Sequence, residues 1–212
     1  MKIGFLFDLD GVLIDSETEY TRIWQAIDQA FPTGVENFAI KIKGQTLPEI
    51  LSQNFPEHLW PDVTAMLNER EQRMHYPPLP GAMEILAELK RRDIPRALVT
   101  SSNGYKMKHL REECPDLEGF FSAIVTADMI SHSKPDPEGY LLGARLIGAD
   151  PTHCVVFEDS RQGLTAGKAA GAYTVGLTTT LPASEIGHLC HRVIPNLASI
   201  GLDEVIDTLH TR

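Results

Sequence analysis

Short apolar runs alternating with helix-patterned segments constrain this chain more than any other feature. Residues 2–7, 96–100, 123–126, 154–157 and 173–177 each have the continuous apolar pattern of a strand buried in a parallel sheet, and 192–194 is a weaker example. Between them lie helical patterns at 82–92, 105–113, 137–147 and 160–170. The second ends where Cys114-Pro115 disfavours continuation. The third starts with Asp136 as N-cap and Pro137 in the first turn, and ends at Gly148. The fourth is capped by Ser160 and ends at Gly171. Strand–helix alternation implies right-handed crossovers and an α/β fold, a doubly wound parallel sheet covered on both faces.

Residues 17–74 break that rhythm. They carry helical patterns only, at 17–30, 37–42, 48–54 and 59–74, and read as a small helical insert after the first strand. Tyr76-Pro77-Pro78-Leu79-Pro80-Gly81 is the expected return linker, and residues 11–16 the outgoing one. The expected division is therefore a core of residues 1–15 and 79–212 and an insert of 16–78.

Bulk properties narrow the function classes. A chain of 212 residues buries roughly 70% of its unfolded surface on folding, so it needs no disulfide or metal staple. A formal charge of -10 argues against non-specific nucleic-acid binding, which needs a basic face. No apolar run reaches the length of a membrane span, and no secretory leader is apparent. Cys114, Cys154 and Cys190 lack CxxC spacing and suit a reducing compartment, so the cytoplasm is expected. His188, Cys190 and His191 lie close together, but no fourth ligand is evident, and they read as a surface segment.

Four segments carry chemistry. Phe7-Asp8-Leu9-Asp10-Gly11 follows the first strand, and side chains two apart in an extended segment face one side, so Asp8 and Asp10 can share a site. Two close carboxylates need a cation between them or a proton on one. A calcium loop is excluded, because Val12 and Leu13 stand where it needs an oxygen ligand and a glycine. Thr100-Ser101-Ser102-Asn103 opens a helix and can cradle a phosphate. Lys134, in Ser-Lys-Pro-Asp-Pro, can present a fixed ammonium to an anion. Glu158-Asp159-Ser160, at the end of a strand, suits a hard cation such as Mg²⁺. Taken singly, each has a bland reading: a polar turn, an N-cap, a solvated lysine, an acid assisting a cap.

In order and spacing, FDLDG, the strand ending in Thr100, KPDP and FEDS resemble the four motifs of the haloacid-dehalogenase-like hydrolases. The GLTAGKAAGAYTVGL run and the position of the helical insert are similar too, so the resemblance covers nearly the whole chain. It implies a Rossmann-like core with a helical cap and a Mg²⁺-dependent phosphatase acting on a small phosphorylated metabolite. By motif position, Asp8 would attack phosphorus and form an aspartyl-phosphate, and Asp10 would act as acid and then base. Thr100, the amide of Ser101 and Asn103 would hold phosphoryl oxygens, and Lys134 would balance charge. Asp8, the Asp10 carbonyl and Asp159 would hold Mg²⁺, with Glu158 supporting the metal or its waters.

The cap would be a lid, with Glu17, Tyr20, Lys43, Gly44 and Gln45 as candidate substrate contacts. Trp24 and Trp60 read as packing residues of the cap. The chain looks most like the subgroup holding β-phosphoglucomutase and the sugar-phosphate phosphatases. Tyr20 stands where the mutase has a histidine and Leu47 where it has an arginine, which favours hydrolysis and leaves the mutase second. A dehalogenase fits poorly with Asp10, Glu158 and Asp159 present. A sugar-phosphate-binding regulator on an inactive scaffold is the reading from another class. A monomer is the expected assembly, with no nucleic-acid or membrane partner.

Overall fold

The computed structural model describes residues 2–42, 47–102 and 104–211. It divides into two compact units, one formed by Met1–Asp15 with Tyr76–Arg212 and the other by Ser16–His75. The chain enters the first unit through β1 (Gly4–Phe7), then builds the second from α1 (Ser16–Ala30), α2 (Phe38–Lys41), α3 (Leu47–Asn54) and α4 (Trp60–Glu71). It returns to the first unit through α5 (Ala82–Arg91), β2 (Arg96–Val99), α6 (Gly104–Glu113), β3 (Ala123–Val125) and α7 (Glu138–Leu146). The rest comprises β4 (Cys154–Glu158), α8 (Arg161–Ala169), β5 (Tyr173–Leu177), α9 (Ala183–Ile186), β6 (Arg192–Ile194) and α10 (Leu202–His210).

The six strands form one sheet in the order β3-β2-β1-β4-β5-β6, and every pairing is parallel. The chain winds outward from β1 to β3, then restarts at β4 on the other side of β1. The reversal lies between β1 and β4, where ligands of such sheets bind at the carboxyl ends. Phe7 is in register with Phe157 across that gap, so Asp8 and Glu158 emerge side by side.

Strand alternation decides which groups face the same way. Phe5, Phe7 and Phe157 stack together, with the Phe7 and Phe157 rings 4.9 Å apart. Leu6 and Val156 instead join the buried cluster that includes Val99, Tyr140 and Ala144. Asp8 and Glu158 lie two residues beyond Leu6 and Val156, and a period of two sends them toward the Tyr140 side.

Most helix boundaries differ from the sequence pattern by a residue, and two of the differences have a visible cause. Asp136 is not the N-cap of α7: Pro137 holds that place, and the Asp136 carboxylate accepts from the Glu138 amide, the first of the helix, at 2.9 Å. The pattern at 59–74 is not one helix. A 3₁₀ turn at Glu57–Leu59 precedes α4, in which Pro61 falls in the first turn, where its missing N–H costs nothing. After Glu71 the Arg73 and Met74 amides bond three residues back, tightening the end. Elsewhere Ser160 caps α8 through its hydroxyl, 3.0 Å from the Gly163 amide, as its sequence position implies.

The Ser16–His75 unit has its own aromatic core. Trp24 and Phe55 both pack edge-on against Phe38, and the Trp60 indole donates to the Phe55 carbonyl at 3.0 Å. Both tryptophans are thus packing residues of this unit. No helix among the described residues is long and apolar enough to cross a membrane.

Candidate active site

At the carboxyl end of β1, Asp8 is 7% exposed, and its amide donates to the Phe157 carbonyl, extending the β1–β4 ladder by one residue. The Lys134 ammonium donates to Asp8 Oδ1, to Glu158 Oε1 at 2.7 Å and to the Val99 carbonyl at 3.2 Å. All three of its protons are used, which fixes the ammonium in place. Burial pulls Lys134 down, but the carboxylates of Asp8 and Glu158 outweigh it and hold the lysine well above its ordinary value.

Glu158 is fully buried and fully occupied. Its Oε1 accepts from Lys134 and from the Tyr140 hydroxyl at 2.9 Å. Its Oε2 accepts from the Asp159 and Ser160 amides, both at 3.0 Å, and from the Ser160 hydroxyl at 2.9 Å. Burial pushes Glu158 upward, yet Lys134 and the donors from Ser160 bring it below the usual carboxylate value. Gly163 makes room for it: a Cβ there would lie 1.6 Å from Glu158 Oε1.

Asp8 is less well compensated. Burial pushes its carboxyl from 3.8 up to about 7; the Lys134 charge opposes this, and the nearby Glu158 and Asp10 charges add to it. Ligand atoms of Asp8, Glu158 and Asp159 lie within 4.8 Å of one another. Three carboxylates facing one ammonium leave an excess of two negative charges, which a divalent cation would cancel. The donors are hard oxygens, as Mg²⁺ prefers, so this donor set fits such an ion. Because Glu158 is committed to five donors, Asp8 and Asp159 are the side chains of the group best placed as direct ligands.

Asp10 faces other partners. Its Oδ1 lies 2.6 Å from Lys106 Nζ, and its Oδ2 accepts from the Ser102 hydroxyl at 3.3 Å. The Asp10 carboxylate is outside the acidic group of Asp8, Glu158 and Asp159. Thr100, 2% exposed, follows β2; its amide donates to the Val125 carbonyl and its hydroxyl accepts from the Ser102 amide at 3.0 Å. Ser101 is exposed beside it. Asn103 lies outside the described residues, as do Lys43, Gly44 and Gln45.

In the helical unit, Glu17 sits half-buried in the first turn of α1. The Tyr20 hydroxyl donates to Glu71 Oε1 at 3.0 Å. His191 is engaged structurally: its ring stacks on Tyr173, and Nδ1 accepts from the Thr174 amide at 3.0 Å.

Sequence reasoning passed over Lys106, Tyr140, Thr179 and Thr180, and placed Ser102 in the phosphate cradle without its Asp10 partner. Lys106 lies two residues into α6 after Gly104, a position with no motif of its own. Thr179 and Thr180 follow β5, and the neighbouring place of β5 beside β4 brings the loop after it to the site. Three successive threonines at a strand's carboxyl end were the available signal, readable only once strand order is known.

Residues 4–171 match the family model of the haloacid dehalogenase-like hydrolases. Hexitol phosphatase A of Escherichia coli (strain K12) is 33% identical over 181 residues, 82% of each chain. Validoxylamine A 7'-phosphate phosphatase of Streptomyces hygroscopicus subsp. limoneus is 30% identical over 188 residues, 85% of this chain and 88% of that one. A solved haloacid-dehalogenase family hydrolase from Deinococcus radiodurans R1, with bound phosphate and sodium, superposes with a TM-score of 0.79 at 27% identity, covering 93% of this chain and 92% of that one. Four motifs in order, the strand reversal that gathers them and relatives of this kind lead to one assignment: the chain belongs to the haloacid dehalogenase-like hydrolase family and is an enzyme of the phosphoric monoester hydrolase class.

Proposed function

We propose that the protein is a Mg²⁺-dependent phosphatase that hydrolyses a small phosphorylated metabolite, a sugar phosphate, through a phosphoryl group carried on Asp8. One observation carries this reading: a buried carboxylate at the strand reversal is bound to the Lys134 ammonium and lies within 4.8 Å of Asp159. An anionic nucleophile and an anionic phosphate repel each other, so phosphoryl transfer needs alignment and charge neutralisation more than it needs bond-making groups.

In this reading Asp8 Oδ attacks phosphorus while the ester oxygen departs on the opposite side. Lys134 stays bound to Asp8 and spreads its charge over the incoming phosphoryl oxygens, held there by Glu158 and Val99. Thr100 and the Ser101 amide bind the transferred oxygens, with Asn103 assigned by sequence position alone. Asp10 gives a proton to the leaving oxygen and then takes one from the water that releases phosphate, a role worth roughly 10²–10⁴ in rate. Asp8, the Asp10 carbonyl and Asp159 would hold Mg²⁺, which when bound supplies the positive charge that brings two anions together. Glu158 serves mainly by fixing Lys134.

The helical unit is the proposed cap, with Glu17, Tyr20, Lys43, Gly44 and Gln45 as its substrate-facing candidates. The sugar-phosphate class rests on relatives such as hexitol phosphatase A and validoxylamine A 7'-phosphate phosphatase. The free thiols of Cys114, Cys154 and Cys190 suit a cytoplasmic enzyme.

The test is release of inorganic phosphate from a panel of hexose, pentose, hexitol and deoxysugar phosphates with Mg²⁺, alongside mass spectrometry of the acid-quenched protein. The expected result is Mg²⁺-dependent release and a phosphoryl adduct on the peptide containing Asp8, both abolished in Asp8→Asn. Release that survives Asp8→Asn would overturn the reading. Interconversion of sugar 1- and 6-phosphates that requires a bisphosphate primer would replace it with a mutase.

A further inference from the structure

The loop after β5 holds the candidate metal ligand Asp159. The Thr180 hydroxyl hydrogen-bonds to Asp159 Oδ2, and the neighbouring Thr179 hydroxyl donates to the Gly11 carbonyl at 2.5 Å. Gly11, at φ 71°, lies directly against the same oxygen: a Cβ built there would sit 1.9 Å from Asp159 Oδ2 and 2.9 Å from the Thr180 hydroxyl. Oδ2 is thus boxed between a glycine backbone and a threonine hydroxyl, and Thr179 ties that glycine in place. Two successive side chains of one loop fix both the acid and the wall beside it.

We propose that Thr180 is a positioning residue that confines Asp159 to ligation through a single oxygen and thereby favours Mg²⁺ over Ca²⁺. The proposal rests on Asp159 being a metal ligand, as in the reading above. Mg²⁺ takes six ligands in a tight octahedron and accepts one oxygen per carboxylate. Ca²⁺ takes six to eight, and carboxylates commonly bind it with both oxygens. To grip a cation with both oxygens, Asp159 must turn Oδ2 away from the Thr180 hydroxyl and from Gly11. Removing the hydroxyl lifts one of these restraints. The carboxylate then swivels, losing the orientation that suits the smaller ion and gaining the one that suits the larger.

Calorimetric titration of the substrate-free protein with MgCl₂ and with CaCl₂ tests this, because it reads metal affinity rather than turnover. Thr180→Val keeps the shape and deletes the hydroxyl; Thr180→Ser keeps the hydroxyl. Thr180→Val is expected to weaken Mg²⁺ binding by about 10–100-fold, the usual cost of losing a group that orients a metal ligand, with Ca²⁺ binding weakened less or strengthened. Thr180→Ser should keep the wild-type ratio of the two affinities. If Thr180→Val does not fold, Thr180→Ala, which adds no bulk to the loop, is titrated in its place. A hydroxyl-free variant with the wild-type Mg²⁺/Ca²⁺ ratio would overturn the proposal and leave the phosphatase reading intact. A wild-type protein that binds neither ion would sink both.

Discussion

Lys106 Nζ lies 2.6 Å from Asp10 Oδ1, although 96 residues separate the two in the chain. The pair is largely sheltered, with the lysine side chain 17% and the aspartate 27% exposed. The proposed acid–base group therefore enters the reaction with a cation already on one oxygen and the Ser102 hydroxyl on the other. Lys106 of α6 and Ser102 of the segment before it thus each hold one oxygen of this carboxylate.

Replacing that lysine should expose the dependence. In Lys106→Met, turnover of an alkyl phosphate is expected to fall by about 10²-fold, since a misaligned Asp10 delivers its proton poorly. Hydrolysis of p-nitrophenyl phosphate, whose leaving group departs without a proton, should fall far less. Lys106→Arg should recover part of the alkyl-phosphate rate. Steady-state kinetics on the two substrates provide the check, and equal losses on both would refute a positioning role.

Gly163 sets two effects against each other. Helix propensity favours alanine over glycine by up to about 1 kcal/mol. The added methyl would meet Glu158 Oε1 at 1.6 Å, and that carboxylate is held by five donors. Overpacking of this kind costs about 1–3 kcal/mol, so Gly163→Ala should be less stable than wild type in urea melts. Its activity should fall as well, because any retreat of Glu158 moves Lys134.

Glu158→Gln keeps the shape but removes the charge opposite Lys134. Breaking a buried ion pair costs about 3–5 kcal/mol when it strands a charge. Lys134 keeps Asp8, so a loss nearer 3 kcal/mol is expected in urea melts at pH 7. Because Glu158 lies below its ordinary 4.5 in the folded protein, its share of the stability is present above that pH and disappears as pH falls through the folded value. The deficit of the variant should therefore shrink in acid.

Asp8 has the opposite sign. Its carboxyl is raised from 3.8 to about 7 by burial, so the folded protein holds that proton more tightly than the unfolded chain does. Its contribution to stability is complete below about pH 3.8 and is lost as pH rises through about 7. In chelator, Asp8→Asn should gain Tm relative to wild type as pH rises from 4 to 8. Adding MgCl₂ at pH 8 should raise the wild-type Tm, because an ion bound only by the folded state stabilises it. Thermal melts across that pH range decide the matter; a constant gap between the two proteins would count against the buried charge.

The strand-and-helix alternation, the helical insert and the four motif segments were legible in the chain because they depend on local order. Apolar runs, capping residues and acids at strand ends are written consecutively, and Ser160 caps α8 where its position implies. Boundaries shifted where a proline or a neighbouring carboxylate competed, as at Asp136 and Pro61. The pairings Lys106–Asp10, Tyr140–Glu158 and Thr180–Asp159 join residues 96, 18 and 21 positions apart, and no periodicity records them. They exist because the sheet reverses between β1 and β4, setting Asp8 beside Glu158 and bringing the loop after β5 against Gly11. Local chemistry named the acids. Only the packing of distant segments decided which cation, hydroxyl or amide holds each one, because a buried charge must take its partner from whatever the fold brings within hydrogen-bonding reach.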